Sequence, residues 1–191
     1  GLNSTSQAIT GDGSTSTAVT LTEPVTEVNA TSAAAPVTLA DGANGQIKTI
    51  LNTSTSGTNN VLLGYEAGTS ITTGSNVIAI GYEAADSLTT GVNNVVLGSQ
   101  AGQNITDASN NVIIGHTAGY LLTSASANTY IGRVAGYLSN PSGFSANTAV
   151  GDYSGYAMTS ATFNAFFGQS SGYQVTSGSQ NTILGRSSGK N

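Results

Sequence analysis

Residues 93–102 read Asn93-Asn94-Val95-Val96-Leu97-Gly98-Ser99-Gln100-Ala101-Gly102: a short apolar run ends at a glycine, and a turn of small residues follows. The pattern occurs eight times, anchored on Gly64, Gly81, Gly98, Gly115, Gly132, Gly151, Gly168 and Gly185. Successive anchor glycines are 17 residues apart, except for a step of 19 from Gly132 to Gly151. A fixed period of this size is typical of a solenoid, in which one small unit stacks on copies of itself. The sequence therefore predicts an all-β solenoid of eight coils of about 17 residues each.

The apolar run of each coil predicts a strand that is apolar on both faces. The residue before each anchor glycine shares one face with the residue two positions earlier, because side chains alternate in a strand. We expect this face to be the interior of the coil. The two columns are Leu63, Ile80, Leu97, Ile114, Ile131, Val150, Phe167 and Leu184, and Val61, Ile78, Val95, Val112, Thr129, Thr148, Ala165 and Thr182.

The residue between these two columns is expected to point outward. This middle column consists of Leu62, Ala79, Val96, Ile113, Tyr130, Ala149, Phe166 and Ile183, and it is also apolar. A contiguous exposed apolar strip marks an interface, and strands that are apolar on both faces belong to sheets covered on both sides. We therefore predict a closed parallel homo-oligomer. Its predicted interface residues are Leu62, Val96, Ile113, Tyr130, Phe166 and Ile183.

Two further columns run through the rest of the coil. An apolar column seven residues after the anchor glycine is expected to join the core: Ile71, Leu88, Ile105, Leu122, Met158 and Val175. Ser139 interrupts this column beside the two extra residues of the long step, so we expect that coil to bulge outward. Four residues before the anchor stands an asparagine, and stacked amides satisfy one another's hydrogen bonds. We interpret this column as a structural ladder: Asn60, Asn94, Asn111, Asn128, Asn147, Asn164 and Asn181.

The repeat does not extend over the whole chain. Residues 1–48 lack it and show short alternating segments, such as 18–22 and 37–39, between loops rich in Ser, Thr and Ala. We therefore divide the chain into an N-terminal β segment, 1–48, and a β-roll repeat domain, 49–191.

The composition excludes several classes of function. Of the 191 residues only 7% are charged, four are Lys or Arg, and the net charge is −5. Binding to a phosphate backbone needs clustered basic residues, so no nucleic-acid partner is expected. No apolar run is long enough to span a bilayer and no secretory signal is visible, so no membrane insertion is expected. The chain has no cysteine, so its stability must come from stacking or association instead of disulfides.

Residues that carry catalysis in other proteins are scarce here. The single histidine, His116, occupies the variable position after an anchor glycine, where a solvated loop residue is expected. Glu66 and Glu83 occupy matching positions in adjacent coils, which would place them about 5 Å apart, as in a glycosidase pair. Because glutamate stands there in only two of eight coils, we interpret the pair as a by-product of the repeat. We predict no enzyme activity, no catalytic residue, no metal site and no cofactor.

One repeat resembles those of a known family. The run Asn76-Val77-Ile78-Ala79-Ile80-Gly81-Tyr82-Glu83-Ala84, with Thr89-Thr90-Gly91, resembles the head repeats of trimeric autotransporter adhesins (YadA-like) and related repeats in bacteriophage tail fibres. The resemblance covers residues 52–191. It implies an extracellular, left-handed parallel β-roll in a homotrimer, on a virion fibre or a bacterial cell surface, with adhesion or host-receptor binding as the usual role. The coils here are longer than in the familiar adhesin head, and neither a membrane anchor nor a coiled-coil stalk is visible.

A column of tyrosines is the predicted binding surface. Tyr120, Tyr137, Tyr156 and Tyr173 each stand five residues after an anchor glycine. Aromatic rings flanked by Asn, Ser and Gln suit sugars, so we expect a host-surface glycan or receptor as ligand. Alternatively, the rings stack on one another or fill the groove between subunits, or the chain is an architectural spacer without a ligand. Ice binding is a further alternative, suggested by a threonine column: Thr72, Thr89, Thr106, Thr123, Thr159 and Thr176.

Overall fold

The computed structural model describes residues 57, 59–143 and 145–189, together with the backbone of three short strands at 7–9, 28–30 and 50–52. The first two of these strands, β1 (Gln7–Ile9) and β2 (Val28–Ala30), pair in parallel. The strands predicted at 18–22 and 37–39 lie outside the described residues.

The repeat forms one parallel sheet of eight strands. They are β4 (Asn60–Leu63), β5 (Ile78–Ile80), β6 (Val95–Leu97), β7 (Val112–Ile114), β8 (Thr129–Ile131), β9 (Thr148–Val150), β10 (Ala165–Phe167) and β11 (Thr182–Leu184). Neighbouring strands are in register, so paired residues are 17 positions apart, or 19 between β8 and β9. A further strand, β3 (Ile50–Asn52), pairs antiparallel with β4. The chain is thus an all-β parallel solenoid, as predicted, with about seven turns from β4 to β11.

The two faces of the strands are the reverse of those predicted. The middle column lies inside the coil, where Ala79, Val96, Ile113, Tyr130, Ala149 and Phe166 have no exposed surface and Leu62 and Ile183 are partly buried. The two flanking columns, predicted to be interior, point outward and are half-buried or exposed. The predicted interface residues Leu62, Val96, Ile113, Tyr130, Phe166 and Ile183 therefore fill the core of their own chain.

The asparagines explain why this face turns inward. Four residues before the anchor, each lies on the same face of the strand as the middle column, and its amide reaches backbone at the inner side of a corner. Asn94 Nδ2, for example, donates to the Ala108 carbonyl at 2.8 Å. Asn111 Oδ1 accepts from the backbone N–H of Asn128 at 2.9 Å and from Asn128 Nδ2 at 3.2 Å. The predicted asparagine ladder is confirmed, and it fixes the strand's orientation, because a buried amide needs these partners.

Residue sizes are complementary in three coils of the core. Each strand's middle residue shares the core with the residue nine positions later, at the start of the return segment. Where the strand supplies the small Ala79 or Ala149, the return segment supplies the large Leu88 or Met158. The matched volumes keep the interior filled, as close packing requires.

Ser139 belongs to the same scheme and lies inside the coil, while the loop that follows it holds the extra residues for which an outward bulge was predicted. The large ring of Tyr130 fills that coil, so a small residue faces it, and Ser139 is fully buried with its Oγ 2.6 Å from the Tyr130 hydroxyl. The same hydroxyl donates to Asn128 Oδ1 at 3.1 Å. Burial raises the pKa of this phenol. The extra residues lie in the loop 140–143, in which three of the four residues are exposed.

Candidate functional site

The first surface of interest is the outer face of the sheet, formed by the two columns that flank the middle column in β4 to β11. Thirteen of its 16 side chains are apolar and the other three are threonines. Most are half-buried, while Ile78, Phe167 and Leu184 are 37%, 40% and 78% exposed. At about 4.8 Å per strand, the outer face extends for roughly 34 Å along the solenoid. The predicted strip of exposed apolar residues is thus present, but it is formed by the two flanking columns and not by the middle column.

The second surface is the tyrosine ladder, formed by Tyr120, Tyr137, Tyr156 and Tyr173. Successive ring centroids are 5.1, 5.6 and 4.8 Å apart, and successive rings are inclined by only 5°, 8° and 6°. The structure therefore brings the four predicted residues together, and the rings stack on one another. The faces of Tyr137 and Tyr156 are covered by their neighbours on both sides. A sugar would meet ring edges and hydroxyls there, because the inner faces that suit stacking are occupied.

A fifth tyrosine extends this surface, and the sequence analysis missed it. The Tyr153 ring lies 5.8 Å from that of Tyr156 and 6.0 Å from that of Tyr173, tilted by 45° and 44°. The Arg133 guanidinium lies 4.7 Å from the Tyr153 ring centroid and donates to its hydroxyl at 3.3 Å. Tyr153 is the only aromatic residue two positions after an anchor glycine. This exception is the signal in the sequence that could have identified it as part of the surface.

Arg133 is held by a second contact, to the neighbouring coil. Its Nε lies 3.1 Å from Asp152 Oδ1, and its Nη2 lies 3.1 Å from Asp152 Oδ2. The hydrogen bond to Tyr153, followed by the charge of Asp152, raises the pKa of Arg133. Nη2 is the donor to this carboxylate, whereas Asp152 Oδ1 accepts no hydrogen bond. The hydrogen bonds to Asp152 and Tyr153 therefore hold the exposed guanidinium beside the aromatic surface.

The two glutamates considered as a glycosidase pair lie at the other end of the solenoid. Glu83 Oε2 accepts from Gln100 Nε2 at 2.9 Å and from Gln103 Nε2 at 2.6 Å. A hydrogen bond with Tyr82 and these amides lower the pKa of Glu83, and the same bond raises the pKa of Tyr82 to about 12. The general acid of a glycosidase needs a raised pKa instead. Glu83 thus acts as an ionised acceptor that links coils, and nothing in its geometry favours catalysis.

Hydroxyls of the threonine column form hydrogen bonds between coils. Thr72 and Thr89 donate their hydroxyls to the backbone carbonyl one coil further on, at 3.1 and 2.9 Å. The Thr106 hydroxyl lies 3.2 Å from Asp107 Oδ1 in its own coil and 3.4 Å from the Thr123 carbonyl oxygen. His116, the residue considered as a catalytic base, is exposed, and its Nδ1 is 3.4 Å from Thr117 Oγ1.

Within the residues that the structure describes, no group of three or more His, Cys, Asp or Glu side chains is placed to hold a metal ion. The same part of the chain contains no helix with the length and apolarity needed to cross a membrane. The outer face and the tyrosine ladder, with Tyr153 and Arg133, are therefore the two surfaces from which function can be argued. Comparisons with protein-family models, with curated proteins and with solved structures find no match for this chain.

Proposed function

We propose that this chain is a structural segment of an extracellular fibre or spike, on a virion or a bacterial cell surface, whose copies associate through the outer face. The observation that carries the proposal is that outer face, with 13 apolar side chains among its 16. Burying an aliphatic side chain fully contributes about 1.5–3 kcal/mol, so covering part of this surface is a substantial driving force. The apolar residues on the surface of an ordinary monomer are scattered singly, whereas here they form a contiguous strip.

The assembly we propose is a parallel homotrimer of left-handed coils, as the resemblance to the adhesin and tail-fibre repeats implies. In a closed symmetric assembly each copy presents the same columns to the axis. Because every coil of the outer face presents residues at the same two positions, equivalent coils of the copies would meet layer by layer. Low surface charge supports this arrangement, since like charges at the axis would repel one another.

Sedimentation velocity at micromolar protein concentration tests the assembly. Ile114→Lys places a charge near the centre of the outer face, and we expect it to convert trimers into monomers, because an unpaired charge is costly in an apolar interface. Gln174→Lys adds the same charge at an exposed position outside the outer face and should leave the sedimentation coefficient unchanged. If the native chain sediments as a monomer throughout the micromolar concentration range, the proposal is wrong.

A second candidate function is attachment to a host-surface glycan or receptor through the tyrosine ladder and Tyr153. The observation that favours it is the grouping of five tyrosines with an exposed arginine, Arg133, on one surface, because tyrosine and arginine dominate binding hot spots. The test is a glycan array probed with the native chain and with Tyr153→Ala, which removes the tilted ring. Binding that is lost in the variant supports attachment, whereas no binding by the native chain favours an architectural spacer.

A further inference from the structure

The tyrosine ladder has a chemical property that neither assembly nor attachment uses. Each phenol has another phenol one coil away, with ring centroids 4.8 to 5.6 Å apart. Tyr153 adds a ring at 5.8 to 6.0 Å that is already inclined to two members of the ladder. All five side chains are half-buried and so keep part of their surface in contact with solvent. The phenols can therefore be oxidised from the solvent side, and each ring is held next to a partner ring.

We propose that the tyrosine ladder is a site of oxidative cross-linking, in which a carbon–carbon bond joins the rings of tyrosines in adjacent coils. The co-reactant is hydrogen peroxide, used by a haem peroxidase. Each of two phenols gives up one electron and one proton, and the resulting phenoxyl radicals couple at the ring carbons next to the oxygen. The two displaced ring hydrogens return to the oxygens, so both phenols are restored. The peroxide takes up the two electrons and two protons and leaves as two waters.

The structure favours coupling within one chain. A radical on Tyr137 has a neighbouring ring on each side, at 5.1 and 5.6 Å, whereas a ring of a separate molecule must arrive by diffusion. Holding two reacting groups side by side makes a bimolecular step effectively unimolecular. The stacked rings must tilt to bring their edges together, and the partly solvated surface leaves room for that rotation.

The bond would connect coils in a chain that has no cysteine. Coupling of Tyr120 to Tyr137, or of Tyr156 to Tyr173, closes a loop of 17 residues. A cross-link of this kind stabilises mainly by restricting the unfolded chain, as a disulfide does. We therefore expect the oxidised chain to melt several degrees higher than the untreated chain.

The experiment is oxidation of the full chain by a haem peroxidase and hydrogen peroxide, followed by denaturing electrophoresis and mass spectrometry of peptides. We expect chains that still migrate as single chains and that carry peptide pairs joined with the loss of two hydrogen atoms. The joined tyrosines should be ladder neighbours, Tyr153 with Tyr156 or Tyr173, or Tyr65 with Tyr82, whose rings also stack, at 5.5 Å, in adjacent coils. Their yield should stay the same when the protein is diluted about tenfold, because the step is intramolecular.

Tyr137→Phe is the matched variant, because phenylalanine keeps the stacked ring but has no phenolic hydrogen to lose. It should abolish both bonds that involve position 137 and leave the bond between Tyr156 and Tyr173. Tyr130, which is fully buried, should remain unmodified. The proposal is overturned if the native chain forms no bond within a single chain, or if the bonds it forms join tyrosines that are not neighbours in the structure.

Discussion

At the scale of single residues, each coil depends on four backbone positions with positive φ. Two of them are the anchor glycine and the position four residues later, which is glycine in every coil except at Ala85. The other two lie five residues before and two residues after the anchor, and they accept many residue types, including Val134 at φ 62° and Phe163 at φ 57°. Such residues rarely adopt this conformation. Bonds between coils offset the strain, as where the Val134 N–H donates to the His116 carbonyl at 2.9 Å.

The anchor glycine is the residue whose replacement should cost most. Gly98 has φ 134°, and a Cβ there would lie 2.6 Å from the carbonyl oxygen of Gly115 in the next coil. We expect Gly98→Ala to lower the free energy of unfolding by about 3 kcal/mol or more, through combined backbone strain and steric overlap. The measurement is denaturant unfolding followed by circular dichroism.

Gly143→Ala is the control for this prediction. Gly143 also has positive φ, at 70°, but a Cβ there would meet no atom within 4 Å. Only the backbone strain applies, so the loss should be about 1 kcal/mol. Equal losses in the two variants would contradict the close approach of coils as the cause.

At the scale of elements, the period of the coils and the pairing of strands could be predicted from the sequence, but the direction in which each strand faces could not. The glycine spacing fixed which residues stack, because a shift of register would break every column at once. Alternation alone does not tell interior from exterior when both faces are apolar, as in Val95, Val96 and Leu97. Two signals in the sequence pointed to the correct face: the asparagine in phase with the middle column, and the size matching of Tyr130 with Ser139.

The contact between strand β8 and its return segment should behave as a coupled pair. Tyr130→Phe removes the hydroxyl that bonds buried Ser139 and should lower the free energy of unfolding by about 1–2 kcal/mol, because a buried polar group loses its partner. Ser139→Ala should cost a similar amount. The double variant should cost less than the sum, since neither group is then left unpaired. Strict additivity in denaturant unfolding would contradict the bond.

The asparagine ladder inside the coil should contribute far more to the free energy of unfolding than a second amide ladder on the surface of the coil. Asn111→Ala removes two acceptor contacts to Asn128 and one donor contact to Asn94, and we expect a loss of about 3 kcal/mol. Its neighbour Asn110 belongs to an exposed amide ladder, accepting from Asn93 Nδ2 at 3.1 Å. Asn110→Ala should cost about 1 kcal/mol or less, because water replaces the lost bond and Ala127 already adopts the same conformation one coil later. Similar melting temperatures for the two variants would contradict the inward orientation of the ladder.

At the scale of the whole molecule, cohesion comes from apolar packing and hydrogen bonds and owes little to charge. Only 7% of the residues are charged, and Arg133 with Asp152 is the ion pair found in the part of the chain that the structure describes. The tyrosine ladder follows from the same regularity, since residues at one position of successive coils must stack. Tyr153 could not be placed in this way, because it is the only aromatic residue at its position of the coil and its ring contacts tyrosines of a different column.

The melting temperature should therefore be nearly independent of salt. Raising sodium chloride from about 0.05 M to about 0.5 M screens surface charges almost completely, and exposed ion pairs contribute little to begin with. We expect a shift of about 1 °C or less in the thermal transition measured by circular dichroism. A shift of many degrees would indicate that charges contribute to stability well beyond the Arg133–Asp152 pair of the described residues.

The antiparallel strand β3 gives the stack a polarity. It runs along the edge of β4, so the hydrogen-bonding groups of that edge are already paired. An incoming coil would have to pair in parallel, as every other pair of neighbouring strands in this sheet does, and β3 occupies the place where it would add. Unpaired strand edges are the usual templates for uncontrolled growth. Coil-on-coil polymerisation is thus blocked altogether, because a copy that adds to the free β11 edge would have to present its own β4 edge, which β3 covers in every copy.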